Sequence, residues 1–349
     1  MSLSRLAAVA SIVFAGLVAA WPAGAQTREF VIAAWGDPYE AGWRKSLVPE
    51  FEKKHNVKIV WVQGFSSQTL AKLRAQKDRP EIDVAMLDDG PHQVAVQLGL
   101  IDKIDRSKLV DVKDFYDNAF ENGDFGLAFG YNGAGLYYNT KIFKEKGWPE
   151  PTSWMDLFRP EFKGQVTFHN IANGNGLGGM LAINQIMGGD DNNVDKGFAK
   201  LKELAAQVIT FDKFGETPTL FQQGEAWLGT WSIDRVANLA ASGAPIKFVF
   251  PKEGVSGWKE VVTIVKGRPN QDLAYAWINM IMSREQQENT ARWVGLGPVN
   301  KSAKVDEATA QRVLYGANIV NKMIIPKWEV VNSKRAEWTE RWNQEIERK

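Results

Sequence analysis

The chain has 349 residues, with 42 basic and 41 acidic side chains, three histidines and no cysteine. So even a balance leaves no basic excess to attract nucleic acid or an anionic membrane. Thiol catalysis, disulfides and thiolate metal sites are excluded, and His55, His92 and His169 are too few for a histidine-rich metal centre.

Residues 1–25 carry Arg5, an apolar run from Leu6 to Ala20 and the small pair Ala23 and Ala25. This predicts a secretory signal peptide cleaved after Ala25, with a run short for a spanning helix. Cleavage removes one basic residue and no acid, leaving 42 − 1 = 41 basic against 41 acidic on 349 − 25 = 324 residues. That length buries a large core without covalent staples and is enough for two lobes. No later segment reaches a spanning run of apolar residues, so the exported chain is expected to be soluble and not membrane-inserted.

From Glu29 onward, β-rich runs alternate with helical patterns. EFVIAAW leads into a helix through Trp43, Leu47 and Phe51, VKIVWV into SQTLAKLRAQ, and IDVAML into a helix near HQVAVQLG. This βαβ order predicts a mostly parallel sheet with helices on its faces. A strand region, GLAFGYNGAGLYYN at 126–139, separates it from a second alternating block: QVTFH, helices from about Gly178 to Met187 and around 194–207, then VIT, AWLGTW, a helix after Ser232, and IKFVF. Two such blocks imply two α/β lobes joined by extended crossing segments. Beyond them come a strand in GVSGWKEVVTIVKG, the helix QDLAYAWINMIMS, a shorter helix through Trp293, and a helix near 332–347 with Trp338, Trp342 and Ile346 on one face.

Ligands of open α/β sheets gather at the carboxyl ends of strands. The first strand end offers Trp35, Asp37 and Tyr39, and the third Asp88 and Asp89. In the second block, QVTFHN leads to His169, Asn170, Asn173 and Asn175, and LGTWSID to Trp231 and Asp234. GVSGW presents Trp258, with Glu260 two residues later on the same strand face. Each has a plainer explanation. Asp37 with Pro38 and Glu40 fits a helix cap, and Asp89-Gly90-Pro91 fits a turn into a helix. Trp43, Trp338 and Trp342 read as core, and His169 with Asn170 as a satisfied polar pair. Trp35, Trp231 and Trp258 lie at strand ends or turns, outside any apolar stripe. The glycines of GNGLGG, Gly174, Gly176 and Gly179, have dinucleotide-binding spacing, but they fall in the second block of an exported chain. No cofactor is therefore expected, and the amides of this helix start are the better candidates for an anionic or carbonyl group of a ligand.

Six segments, in this order, carry a resemblance: FVIAAWGDPYEAGWRKSLVPEFEKKHNVKIVW, EIDVAMLDDGPHQVAVQLGLIDKID, GLYYNTKIFKEKGWPEPTSWMDLFRPEFKGQV, FQQGEAWLGTWS, FVFPKEGVSGWKEVVTIVKGRPN and AYAWINMIMSREQQENTARWVGLGPVNKSA. The chain resembles the substrate-binding proteins of bacterial ABC importers, in the group containing the spermidine/putrescine-, thiamine- and ferric-iron-binding proteins. The resemblance implies a two-lobe type II periplasmic-binding-protein fold, hinge-linked, with the ligand cleft between lobes. Lobe 1 would comprise 26–128 and 258–300, and lobe 2 129–257 and 301–349. It further implies a periplasmic monomer that captures a small organic cation or amine, delivers it to an inner-membrane permease and binds no nucleic acid.

Within the polyamine-binding pattern, Trp35 and Tyr39 look like the aromatic pair after the first strand and Asp88 like a small polar ligand contact. Trp231 and Trp258 match the tryptophans flanking the bound chain, and Glu260 the carboxylate that grips an ammonium. Three departures stand out. His169, Asn170 and Asn173 replace a second acidic cluster, Leu296 replaces a cleft aromatic, and Gly90 replaces another. A long dication would find only one strongly acidic end, so the resemblance implies a shorter amine, a thiamine-like aromatic cation, or an amine with a neutral or anionic second group. The ferric-iron members use paired tyrosines, whereas Tyr137 and Tyr138 are adjacent in a strand and point to opposite faces. The alternatives are an exported hydrolase using Asp88 and Glu260 as a carboxylate pair, for which no nucleophile motif is present, and a protein-contact module with Trp231 and Trp258 on an exposed patch.

Overall fold

The computed structural model describes residues 27–213 and 215–347, so the expected signal peptide and its cleavage site lie outside the described residues. The strands are β1 (Arg28–Ala34), β2 (Val57–Gln63), β3 (Val84–Asp88), β4 (Ile101–Asp102), β5 (Phe120–Glu121), β6 (Gly126–Asn139), β7 (Val166–His169), β8 (Val208–Asp212), β9 (Leu228–Ser232), β10 (Ile246–Val249) and β11 (Ser256–Val265). They form one mixed sheet in the order β2-β1-β3-β11-β6-β9-β7-β8, with β4 on β11 and both β5 and β10 on β6. Two parallel blocks, β2-β1-β3 and β9-β7-β8, flank a central antiparallel pair, β11 and β6. Each parallel block is a βαβ unit of the kind the alternation predicts, while β6 and β11 are the extended segments that run between the blocks. The expected lobe divisions at 128/129 and 257/258 fall inside these two strands.

The cores follow the blocks. One apolar cluster gathers Phe30, Ile32, Trp43, Phe51, Phe129 and Trp277, and a second gathers Leu136, Trp154, Phe168, Phe198, Trp338 and Trp342. A third, smaller cluster around Ala33, Leu73 and Leu87 fills the other face of the first block. Tyr137 belongs to the first cluster and Tyr138 to the second, as alternation along β6 requires.

Between Glu260 and Val261 the β11–β6 ladder shifts register: Glu260 pairs with Gly130 and Val261 with Ala128, leaving Phe129 as the extra residue of a bulge. Its carbonyl is satisfied by Gln287, whose Nε2 donates at 2.8 Å. The helix expected through Trp43, Leu47 and Phe51 is two helices, Tyr39–Ser46 and Val48–His55, with Pro49 in the first turn of the second. Proline lacks the N–H that would continue the first helix, but fits the opening turn of a new one.

Candidate functional site

Strand ends of the two blocks meet around a cleft of about 870 Å³. After β1, the chain turns sharply. The Trp35 carbonyl accepts a hydrogen bond from Trp61 Nε1 at 2.9 Å, and the Asp37 carboxylate caps the next helix by accepting from the Ala41 amide at 3.0 Å. The cap presents Tyr39 beside Trp35, with ring centroids 4.8 Å apart. Both rings line the cleft, as does Asp37. Asp37 thus serves the helix start from the position before the N-cap, which is Pro38, and the expected capping box does not form, because the Glu40 carboxylate accepts from Arg44 and Gln63 instead.

The acidic wall is set by strand register. Asp88, at the end of β3, is directly paired with Glu260 on β11. Two carboxylates at paired antiparallel positions lie on the same face, at a spacing where like charges repel. Glu260 is 2 % exposed. Its Oε1 accepts from the Tyr39 hydroxyl at 3.1 Å and from Trp258 Nε1 at 3.3 Å, whereas its Oε2 is buried without a partner. Ser66 donates to Asp88 Oδ2 at 2.6 Å. Burial, reinforced by the Asp88 charge, pushes the Glu260 carboxyl well above the usual carboxylate range. Asp88 is also raised by burial, against the opposing hydrogen bonds of Ser66 and of the Glu260 carboxyl. Burial and then the Glu260 charge raise the Tyr39 phenol.

Asp89 braces this wall by accepting from the amides of Gly90 at 3.0 Å and Lys259 at 3.1 Å, and burial raises its carboxyl to about 8. Lys259 points to the opposite face from Trp258 and Glu260, where it pairs with Glu121 and donates to the Asn118 carbonyl at 2.9 Å. Asp234 also faces the cleft, its carboxylate 3.7 Å from Arg235 Nε.

The structure brings together ten of the residues selected from the sequence: Trp35, Asp37, Tyr39, Asp88, Asp89, Asn173, Asn175, Asp234, Trp258 and Glu260. His169, Asn170 and Trp231 stand outside the cleft lining. Trp231 packs between Tyr137 and His169, with centroids 6.2 and 5.9 Å away, while its strand neighbour Ser232 faces the cleft. His169 is buried, and burial lowers its pKa. The Asn170 side chain is consumed by Glu347 and by the Ala172 amide.

Asn173 caps the helix Gly174–Ile186 by accepting from the Asn175 amide at 2.8 Å, so that helix begins four residues earlier than expected. Two of the three spaced glycines have a packing cause, while a Cβ at Gly174 would meet nothing within 4 Å. A Cβ at Gly176 would come within 2.3 Å of the His169 and Asn170 carbonyls, and one at Gly179 within 2.8 Å of the Phe168 ring.

Other lining residues escaped the sequence reading. Phe65 and Ser66 follow β2 and would have emerged had its end been read like those of β1 and β3. Trp328 and Arg335 come from the helix Trp328–Trp342, whose start lies before the segment its core face revealed. A Cβ at Gly90 would lie 2.9 Å from the Trp328 ring. The aromatic missing at position 90 is thus replaced in space by Trp328, and glycine is what lets that ring approach. Leu296, at the other missing-aromatic position, is buried in the first core and packs over Gly130.

Residues 46–315 match the family of bacterial extracellular solute-binding proteins. The chain belongs to that family. Among similar members, a spermidine/putrescine-binding periplasmic protein of Haemophilus influenzae is 26 % identical over 265 residues, covering 74 % of this chain and 72 % of that one. The Escherichia coli spermidine/putrescine-binding periplasmic protein is 24 % identical over 307 residues, covering 84 % and 82 %. A crystal structure of an ABC transporter protein from Clostridium perfringens superimposes with a TM-score of 0.80 at 27 % identity, covering 91 % of this chain and 99 % of that one. This solute-binding protein therefore shares the fold of transport binding proteins, and the hydrolase alternative gains no support from its relatives. No helix among the described residues is long and apolar enough to cross a membrane.

Proposed function

We propose that the cleft captures a small organic amine as its ammonium form, and that the loaded protein delivers it unchanged to a membrane permease from the periplasm. One observation carries the reading. Glu260 Oε2 is buried, unpartnered and on the cleft wall, within a frame made by Tyr39 and Trp258. A buried carboxylate oxygen without a donor is costly, and an ammonium would supply both hydrogen bond and charge. The Trp35, Tyr39 and Trp258 rings would take the adjoining methylenes and the cation's edge. Asp88 would add the second negative charge, with Asp37, Asp89 and Asp234 shaping the field around it. The polyamine ligands named for the relatives fit this half of the cleft.

The test is a melting and calorimetric screen of the full chain against diamines, monoamines and thiamine. At least one amine should raise the midpoint in proportion to the logarithm of its concentration and be recovered intact. Trp258→Ala should weaken that amine by about tenfold or more, the size expected on losing a cation–π contact and a donor to Glu260. Trp231→Ala should lower the unliganded melt but change affinity little. If no amine shifts the melt, or if Trp258→Ala binds as well as the parent, the reading fails.

A further inference from the structure

The cleft carries a cation as well as its acids. Arg335 lies seven residues, two turns, after Trp328 on the same helix, so the two share a face and are separated by roughly 10 Å along the axis. Trp328 covers Gly90 beside the acidic wall, and Asn332 between them donates to the Gly90 carbonyl at 2.9 Å. Arg335 thus stands displaced from that wall toward the second block. Its Nη2 donates to the Ala172 carbonyl at 3.1 Å, which holds the guanidinium beside the start of the helix Gly174–Ile186. Asn173, Gly174, Asn175 and Arg335 all line the cleft here.

No carboxylate pairs with Arg335 among the described residues, whereas Arg341 on the same helix is paired with both Asp195 and Glu345. The other cleft arginine, Arg235, has Asp234 beside it. Burial lowers the Arg335 pKa, which marks partial loss of hydration without a compensating anion. One cleft therefore holds unsatisfied groups of opposite preference: the acidic oxygens Glu260 Oε2 and Asp234 Oδ1, buried without a donor, and the Arg335 guanidinium, without an acid, near the helix start at Gly174. A diamine would satisfy the first and set its second ammonium toward the second, where like charges repel.

We infer that the ligand is an amino carboxylate, its ammonium on Glu260 and its carboxylate on Arg335, joined by a short methylene chain lying along the aromatic rings. This rests on the amine reading above and narrows it. A guanidinium offers a carboxylate two parallel N–H donors, and the positive end of a helix macrodipole adds to the attraction.

Calorimetric titration of the full chain at neutral pH compares 4-aminobutanoate and 5-aminopentanoate with the diamines of equal length, on the parent, Arg335→Gln, Arg335→Lys and Arg335→Glu. The amino acids should bind at least tenfold tighter than their diamines. Arg335→Gln should remove at least tenfold of that affinity while leaving diamine binding unchanged or improved, Arg335→Lys should fall between, and Arg335→Glu should reverse the preference. Unliganded melts of all variants guard against misfolding, with Arg335→Lys as the charge-retaining control. If the parent prefers diamines, or Arg335→Gln leaves the ratio unchanged, the Arg335 assignment is overturned while amine capture stands. If neither class binds, amine capture falls and this inference with it.

Discussion

Asp88 and Glu260 face each other across β3 and β11, and burial raises their carboxyls, with that of Asp89, above solvated carboxylates that release their protons near pH 4. The sign of the resulting pH dependence is fixed. Where the unfolded chain has lost these protons and the folded chain retains them, stability falls as pH rises. Their contribution is complete below about pH 4 and is lost through the raised folded-state values, which for Asp89 means about 8. Ammonium binding has the opposite slope, because it needs the carboxylates ionised. We therefore expect the unliganded melting temperature to fall between pH 5 and 8 while amine affinity rises, with proton release in calorimetry run in buffers of different ionisation enthalpy. Glu260→Gln should flatten the stability slope and cost about 100-fold in amine affinity, as expected when a charge-assisted contact is lost. A melt that is independent of pH over this window would contradict the shared-burial account. Single residues were also where the sequence was least decisive. Alternation shows that Trp231 and Ser232 face opposite ways, but not which one meets the ligand.

The helix Trp328–Trp342 has two working faces. Trp338 and Trp342 pack into the second core with Ile346 just beyond, and that stripe was legible from spacing. Trp328, Asn332 and Arg335 form the other face, which is mixed in character and has no periodic signature. The same limit applies to Gly90: its sequence neighbours suggest a turn, whereas its size is set by a ring more than two hundred residues away. Gly90→Ala should destabilise by about 1–3 kcal/mol through overpacking against Trp328. Trp328→Ala should cost a comparable amount, and the double variant much less than the sum, since the clash disappears with the ring. Denaturant unfolding of the four proteins measures this coupling, and simple additivity would show that the contact does not matter. The break at Pro49, by contrast, was visible in the sequence and was overridden there by the apolar stripe through Trp43, Leu47 and Phe51.

For the molecule as a whole, the two-block architecture was readable because βαβ periodicity is a local property, and the crossing segments because they are long apolar strands. The cleft's far wall was not, since it depends on where a distant helix docks. With β6 and β11 hydrogen-bonded side by side, closure would be a twist of this central pair that brings the two parallel blocks together. Phe65 sits at the cleft edge after β2 and is 70 % exposed. Closure should cover it, so Phe65→Ala is expected to weaken ligand binding by roughly tenfold, the value of burying much of a phenyl ring, with no loss of unliganded stability. Hydrogen exchange should show ligand-induced protection on both sides at once, in residues 35–39 and 173–178. Protection confined to the first block would mean binding without closure.

Trp328 and Arg335 join the cleft after every strand has been made. A chain folding in synthesis order would form its acidic pair and both sheet blocks while one side of the binding chamber still stood open to water. Cargo retention would therefore arrive late in maturation, in the same step by which Trp338 and Trp342 complete the second core.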